Sequence, residues 1–510
     1  MKIKIGKLFI SLALVLSLML TACGKSDSDK KDKQDLKVAV QADAVSLDPN
    51  VFNDDYSDLA MRQVYETLLA KDEDGNIYNL LAESVDEKDD GKNYVIKIRQ
   101  GVKFHSGKEL TVDDVIWNLN RVIENTKSSN TYKNIIKDSI KKIDDQSLEL
   151  SLEKPQGSFM ELLTNPYLSI ISKDSAQSLD LASQEDGTGP FKLKNWEPKN
   201  EMVFERFDDY WSDKPQFKEL VFRVIPEATN RMVELESGGV DMAFNIAPND
   251  ISKLEENPDL QIFRKGNYAV HFLQFNMAKA PFNNPLAREA VANALDLKEI
   301  VDSVYMGVGN VATSPISPRA KYSIADKIQA RQRNVEKAKE LLKAAGIKEG
   351  TEIKLFVNDN QQRQDVATIV QAQLKDVGLD VKVEKFEWGA YMDILKTKQE
   401  DMYIMSWSPS VVDPDSYLYS PFHSDKAGQG PNFGMYSNKE VDKLIEEGIS
   451  TVAPAKREEI YKKAQEIILK DMPRVDIWYG EQVYGASKAI NNFKMLPEYA
   501  QVFKAVTFGE

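Results

Sequence analysis

The stretch that decides the fold reads YIMSWSPSVVDPDSYLYSPFH and spans residues 403–423. Its first part alternates aromatic and apolar residues up to Trp407, which predicts a largely buried β-strand. A turn with the sequence SPS follows at 408–410. Asp413 and Pro414 then predict a helix start, because aspartate caps the first free amides and proline loses nothing at the first helical position. Ligands of α/β sheets bind beyond the carboxyl ends of such strands, although an ordinary strand–turn–helix corner has the same spacing.

The same alternation of strands and helices extends toward the N-terminus. Residues 353–357 predict a strand, the apolar stripe over 366–374 predicts a helix, and residues 379–383 alternate as a further strand. This βαβ spacing predicts parallel strands joined by a right-handed crossover. The loop NDNQQ at 358–362 follows the first of these strands and precedes a helix, so it is a second loop expected to face a ligand.

The remaining pattern supports an α/β fold class throughout. Helices are predicted over 59–69, after the capping pair Thr111 and Asp114, after Asn284, and after Asn334. The other predicted strands are 36–40, 94–98, 220–225, 240–244 and 268–275. The segment from Val483 onward is predicted to return to the first domain.

Length and charge limit the possible functions. The chain has 510 residues, which predicts two or three domains, and it is 42% hydrophobic and 29% charged, as in a globular protein with large cores. Its formal net charge of −14 argues against nucleic acid as a partner and against electrostatic binding to a membrane surface.

The first 22 residues have the pattern of an export signal. A lysine-rich start precedes an apolar run over 8–20, which is too short to span a bilayer. The run ends in LTAC, which resembles the bacterial lipobox and would make Cys23, the only cysteine, the lipidated N-terminus. We expect a lipoprotein signal peptide at 1–22, a flexible tether at 23–35, and an extracytoplasmic protein held at the cell membrane by its lipid alone. The alternative is an ordinary secretory signal with a stray cysteine.

Motifs for catalysis or for cofactors are missing from the sequence. It contains no G-x-S-x-G nucleophile elbow, no phosphate-binding P-loop and no H-E-x-x-H zinc motif. His105, His271 and His423 are far apart along the chain, which gives little support to a metal site. We therefore expect no catalytic residues, no metal and no cofactor.

Six segments in a fixed order resemble one protein family, the peptide-type (family 5) extracellular solute-binding proteins of bacterial ABC importers. The segments are VYETLL (64–69), GVKFHSGKELTVDDVIWNLNR (101–121), GTGPFKL (187–193), FNNPLAREAVANALD (282–296), RNVEKAKELLKAAG (333–346) and SWSPSVVDPDSYL (406–418). The resemblance implies a two-lobed fold like that of periplasmic binding proteins, of the type II, large three-domain variety, with a hinged ligand cleft.

The resemblance also implies the domain boundaries and the partners. Lobe I would combine a discontinuous domain (36–52, 186–267 and 484–510) with an inserted domain (53–185), and lobe II would be 268–483. The hinge is expected near 268–276 and 478–484. The protein would be a monomer that delivers a peptide or peptide-like solute to ABC permease and ATPase subunits. Alternatives are a haem or nickel-chelate receptor of the same family, or an adhesin or enzyme on a lipid tether.

Two departures from the family pattern bear on the ligand. Dipeptide and oligopeptide binders place an aspartate for the peptide ammonium group where this chain has Ser410. Dipeptide binders place an arginine for the peptide carboxylate where this chain has Val357, and Arg363 is a candidate substitute. The segments SWSPS (406–410) and YSNKEVDK (436–443) are more similar to those of glutathione-binding members. The residues expected to bind the ligand are Trp407, Ser408, Ser410, Asp413, Asp415, Arg363, Asn360, Trp388 and Tyr391.

Overall fold

The computed structural model describes residues 35–52, 54–124 and 129–509. The signal peptide, Cys23 and the tether up to residue 34 lie outside the described residues and stay predictions. Asp35, the last residue of the expected tether, is already the first residue of a strand.

The strands run as follows: β1 Asp35–Val40, β2 Leu69–Lys71, β3 Ile77–Asn79, β4 Ala82–Lys88, β5 Asn93–Ile98, β6 Lys141–Lys142, β7 Ser147–Ser151, β8 Phe191–Glu197, β9 Glu201–Arg206, β10 Glu219–Val224, β11 Met242–Ala243, β12 Leu260–Phe275, β13 Asn310–Val311, β14 Thr351–Asn358, β15 Leu379–Phe386, β16 Met402–Trp407, β17 Arg474–Ser487, β18 Ile490–Asn491 and β19 Thr507–Phe508. The helices are α1 Asp55–Val64, α2 Val112–Glu124, α3 Ser129–Tyr132, α4 Phe159–Leu162, α5 Ala228–Glu236, α6 Ile251–Glu256, α7 Pro285–Ala294, α8 Leu297–Val304, α9 Val335–Ala344, α10 Gln361–Lys375, α11 Trp388–Leu395, α12 Pro414–Phe422, α13 Lys439–Ser450 and α14 Pro454–Asp471.

One large sheet runs through both lobes. Its strand order is β15–β14–β16–β12–β17–β11–β1–β10–β9–β8, with β13 paired to β17 at one side. In lobe II, β14 pairs with β15 and with β16 in parallel, which confirms the βαβ unit expected from the sequence. In lobe I, β1 lies parallel to both β10 and β11. Because β14 and β16 are parallel, their carboxyl ends meet at the same edge of the sheet.

The two longest strands, β12 and β17, cross from one lobe to the other as an antiparallel pair. Their lobe I ends pair Leu260 with Ser487, and their lobe II ends pair Gln274 with Arg474. The regular register is interrupted between Gly266 and Val270, where the strands leave one lobe and enter the other. Because an interrupted ladder bends more easily than a regular one, we place the hinge at this interruption.

Three of the hydrophobic cores lie in different parts of the chain. One core joins β1, β9, β10 and the C-terminal segment, including Phe503. A second core fills the inserted domain around the antiparallel sheet β4–β5–β7–β6, and a third packs α7 to α10 of lobe II against the large sheet. The first core also takes in residues from Leu59 to Tyr65, and the second core begins at Leu68.

The first helix differs from the helix predicted at 59–69. It begins after Asp54, whose side chain accepts hydrogen bonds from two amides of the first turn, and it ends at Val64. The carbonyl oxygen of Val64 accepts a hydrogen bond from the amide of Gly189 instead of continuing the helix. A Cβ atom at Gly187 or Gly189 would collide with the backbone at Val64, which explains the glycines of the GTGPF segment.

Candidate functional site

A cleft of about 620 Å³ lies between the lobes. Lobe II contributes the loop 408–412 that follows β16, and the hinge contributes 267–269 and 481–482. The other wall is formed by lobe I. Its lining residues are Phe52, Asp54, Asp55, Asp58, Arg62, Thr67, Ala70, Lys71, Glu161, Thr164, Asn165, Pro166, Tyr167, Asn245, Pro497, Glu498 and Tyr499.

The loop 408–412 brings two of the expected residues, Ser408 and Ser410, to the cleft. Both serines are exposed, whereas the residues between and after them are buried. Val411 packs into the core of the inserted domain, and the side-chain amide of Asn165 donates to the carbonyl oxygen of Ser410 at 3.0 Å. The loop thus bridges the two lobes, and its serine hydroxyls face the space between them.

Asp413 caps α12 as predicted, but its carboxylate does not line the cleft. It is 1% exposed and accepts two hydrogen bonds from Arg457, at 2.7 and 2.9 Å. The Asp415 carboxylate is also buried and accepts from the Ser158 hydroxyl of lobe I at 2.8 Å. Burial and the neighbouring charge of Asp413 raise the pKa of Asp415 to about 7. A buried carboxylate needs hydrogen-bond donors of its own, and both carboxylates find them within the protein. Their role is therefore structural.

The contact at Ser158 belongs to a wider junction between the inserted domain and lobe II. The amide of Gly157 donates to the carbonyl oxygen of Ile449, and Arg457 donates to the carbonyl oxygen of Gly157. A Cβ atom at Gly157 would lie 2.3 Å from the carbonyl oxygen of Thr451. Only glycine lets the two backbones approach this closely. The junction and the hinge are separate places at which the lobes meet.

The three aromatic residues expected in the cleft lie elsewhere. Trp407 is half-buried, and its indole N–H donates to the carbonyl oxygen of Ser416 at 3.0 Å. Tyr391 is fully buried, and its hydroxyl donates to the carbonyl oxygen of Ile404. Trp388 is 45% exposed at the start of α11. The sequence periodicity could not separate these packing roles from a ligand-facing role.

Asn360 and Arg363 are also absent from the lining of the cleft. The Asn360 side chain caps α10 by accepting from the amide of Arg363 at 3.0 Å. The Arg363 guanidinium donates to Asn358 and to the Ser406 hydroxyl, at 3.1 and 2.9 Å, and lies over the ring of Trp388. Within the described part of the chain, no carboxylate forms an ion pair with Arg363, and burial lowers its pKa.

The sequence interpretation missed the acidic wall of the cleft. We give this name to the six lining carboxylates Asp54, Asp55, Asp58, Glu161, Glu481 and Glu498. Asp54, Asp55 and Asp58 belong to the acidic start of α1. The helix predicted from the sequence began at residue 59 and therefore left all three outside it. Glu161, Glu481 and Glu498 come from three other parts of the chain, so no local pattern could have grouped them with α1.

Two kinds of feature are absent from the described residues. No group of three or more histidine, cysteine, aspartate or glutamate side chains there is arranged to hold a metal ion. None of the helices described for 35–52, 54–124 and 129–509 has both the length and the apolar character needed to cross a membrane.

Comparison with known proteins gives consistent matches. A sequence model described as bacterial extracellular solute-binding proteins, family 5 Middle, matches residues 76–429. The di/tripeptide-binding protein 1 of Pseudomonas aeruginosa is 29% identical and aligns with 84% of this chain and 86% of its own length. The glutathione-binding protein GsiB of Salmonella paratyphi A is 28% identical, over 91% of this chain and 93% of the relative. The periplasmic binding protein DppA of Helicobacter pylori, solved in complex with the peptide STSA, has a TM-score of 0.78 at 28% identity and covers 94% of this chain and 99% of its own.

Proposed function

Because this chain belongs to the bacterial extracellular solute-binding proteins of family 5, we propose that it captures a peptide or peptide-like solute between its lobes and delivers it to a membrane permease. Proteins of this family are extracytoplasmic transport receptors that work with ABC permease and ATPase subunits. The chain is accordingly a binding protein and not an enzyme.

The observation that carries the proposal is the cleft itself. A volume of about 620 Å³ lies within the usual range for small-molecule sites, which is roughly 300–1,000 Å³. Its walls come from two lobes joined by the strand pair β12–β17, so closure about the hinge would surround a bound solute. Ser408 and Ser410 are the proposed ligand contacts on the lobe II side.

A glutathione receptor is the second candidate. Ser410 is neutral where dipeptide binders are expected to carry an aspartate, and the chain aligns with 93% of the glutathione-binding relative. Arg363 lies outside the cleft lining and donates to the hydroxyl of Ser406, two residues before the cleft loop. It is the proposed partner for a carboxylate of a solute that extends past this loop.

We also propose that Cys23 carries the lipid anchor and that the protein acts as a monomer. The apolar run before Cys23 and the small residue beside it support the anchor. A lipid-tethered receptor remains close to its permease, which raises its effective concentration there.

The test is titration calorimetry on ligand-stripped protein with di- to pentapeptides and with reduced and oxidised glutathione. Saturable binding of one solute per chain is expected for at least one of these. A Ser410→Asp variant should bind peptides with a free ammonium group more tightly, whereas the neutral Ser410→Asn variant should not. Mass spectrometry of the solute that co-purifies provides an independent check. Recovery of a haem or a nickel chelate, with no binding of any peptide or glutathione, would refute the proposal.

A further inference from the structure

The acidic wall leaves part of its negative charge without a protein partner. Among the described residues, the cleft lining has six carboxylates but only two basic side chains, Arg62 and Lys71. Arg62 pairs with Asp58 at 3.1 Å. Lys71 lies 3.2 Å from Glu161 and 3.8 Å from Glu498, so one ammonium group serves two carboxylates.

Three of the carboxylates have donors of their own. Asp54 accepts from the amides that begin α1, at 3.1 and 2.8 Å. Glu481 pairs with Arg264 at 2.7 Å. Glu161 accepts from Lys321 at 2.9 Å. Asp55 and Glu498 remain: the exposed carboxylate of Asp55 has neither a hydrogen bond nor an ion pair among the described residues, and the carboxylate of Glu498 has only its distant share of Lys71.

One carboxylate oxygen of the same wall is shielded from solvent and lacks a donor among the described residues. Oε2 of Glu498 is out of contact with solvent and accepts no hydrogen bond. Glu161 differs, because its Oε2 lies 3.2 Å from the Lys71 ammonium group and its Oε1 accepts from Lys321. A buried carboxylate oxygen without a donor is costly, because its hydration is not replaced. The Glu498 side chain is 19% exposed and lines the cleft, so a cationic group of a solute can approach its carboxylate.

Like charges at the start of α1 add to this excess. Burial, followed by the charges of Asp58 and Asp54, raises the pKa of Asp55. The charge of Glu498 also contributes to the raised pKa of Asp58, for which burial is the main cause. Asp55 and Glu498 therefore both add to the negative charge around Asp58, which a cationic solute in the cleft would offset.

We infer that the cleft selects cationic solutes, and that Asp55 and Glu498 are the residues that set this preference. This inference rests on the proposed function and specifies its substrate class as short peptides that carry a basic side chain in addition to the ammonium terminus. Glutathione has two carboxylates and a single ammonium group, so the inference favours the peptide candidate over the glutathione candidate of the proposed function. The positive charge of the solute replaces the donors that the wall lacks.

The experiment compares three tripeptides by calorimetry on the ligand-stripped full chain: Ala-Lys-Ala, the similarly sized neutral Ala-Met-Ala, and Ala-Glu-Ala. Ala-Lys-Ala should bind at least about 10-fold more tightly than either of the others, which corresponds to about 1.4 kcal/mol for the charge pairs that its lysine forms inside the cleft. Glu498→Gln and Asp55→Asn should each reduce this preference, and the double variant should abolish it. Affinity for Ala-Met-Ala should stay within about 3-fold in every variant.

Glu255→Gln is the matched control, because Glu255 is an exposed carboxylate of lobe I outside the cleft lining. It should leave the preference for Ala-Lys-Ala unchanged. Equal binding of all three peptides by the unmodified protein would overturn the inference and leave the proposed function intact. A preference for Ala-Lys-Ala that survives in the double variant would overturn the assignment to Asp55 and Glu498. Failure of every tripeptide to bind would count against the inference and the proposed function together.

Discussion

Replacing Glu400 by glutamine should raise the free energy of unfolding, relative to that of the wild type, by more at pH 8 than at pH 5. Glu400 is 0% exposed in lobe II, and its carboxylate oxygens accept no hydrogen bond of regular geometry from the described residues. Burial raises the pKa of Glu400 from 4.5 to about 7, against the opposing effects of its own backbone amide and of Lys279. The folded protein therefore holds this proton more tightly than the unfolded chain does.

The size of the effect follows from the two pKa values. A carboxyl group whose pKa is raised by folding contributes stability that is fully present below about pH 4.5 and is lost as the pH rises through about 7. The rise from 4.5 to about 7 corresponds to a total of about 3 kcal/mol, of which about 2.5 kcal/mol falls between pH 5 and pH 8. Glutamine does not titrate, so the free energy of unfolding of the variant should not fall in this way as the pH rises.

Urea unfolding, followed by circular dichroism at pH 5 and pH 8, measures the effect. The free energy of unfolding of the variant minus that of the wild type should rise by about 2.5 kcal/mol between the two pH values. Any constant cost of burying the glutamine amide cancels in this comparison. The control is Glu352→Gln, an exposed glutamate of lobe II, which should change little. Parallel pH dependences for the wild type and Glu400→Gln would refute the reasoning.

Three other predictions concern the anchor, the core and the junction between the inserted domain and lobe II. Cys23→Ala should release the protein from membranes or leave it unprocessed, as cell fractionation would show, and full retention of a correctly cleaved variant would contradict the lipid anchor. Arg457→Met should lower the free energy of unfolding by about 3–5 kcal/mol, because it leaves the buried Asp413 carboxylate unpaired; denaturant unfolding measures this, and a change below 1 kcal/mol would be inconsistent with it. Gly157→Val should separate the inserted domain from lobe II, because its side chain would collide with the Thr451 carbonyl; small-angle scattering should detect larger dimensions, and unchanged dimensions would contradict the close contact.

Local sequence patterns predicted the framework of this protein well. The strand that ends at Trp407, the helix that begins after Asp413, and the parallel pairing of β14 with β15 are all confirmed. Each depends on residues close together in the chain, where side-chain alternation and capping decide the backbone conformation directly. The family was evident for the same reason, since its motifs are short contiguous segments.

The composition of the cleft was decided by the tertiary structure. Asp413 looked available for a ligand because its partner, Arg457, lies 44 residues further along the chain. Asp55 and Glu498 are more than 400 residues apart in sequence, yet both line one wall opposite Ser410. A sequence shows which groups carry charge, but not which charges the fold neutralises. That depends on contacts between distant segments, because an ion pair forms wherever packing brings two side chains within a few ångströms.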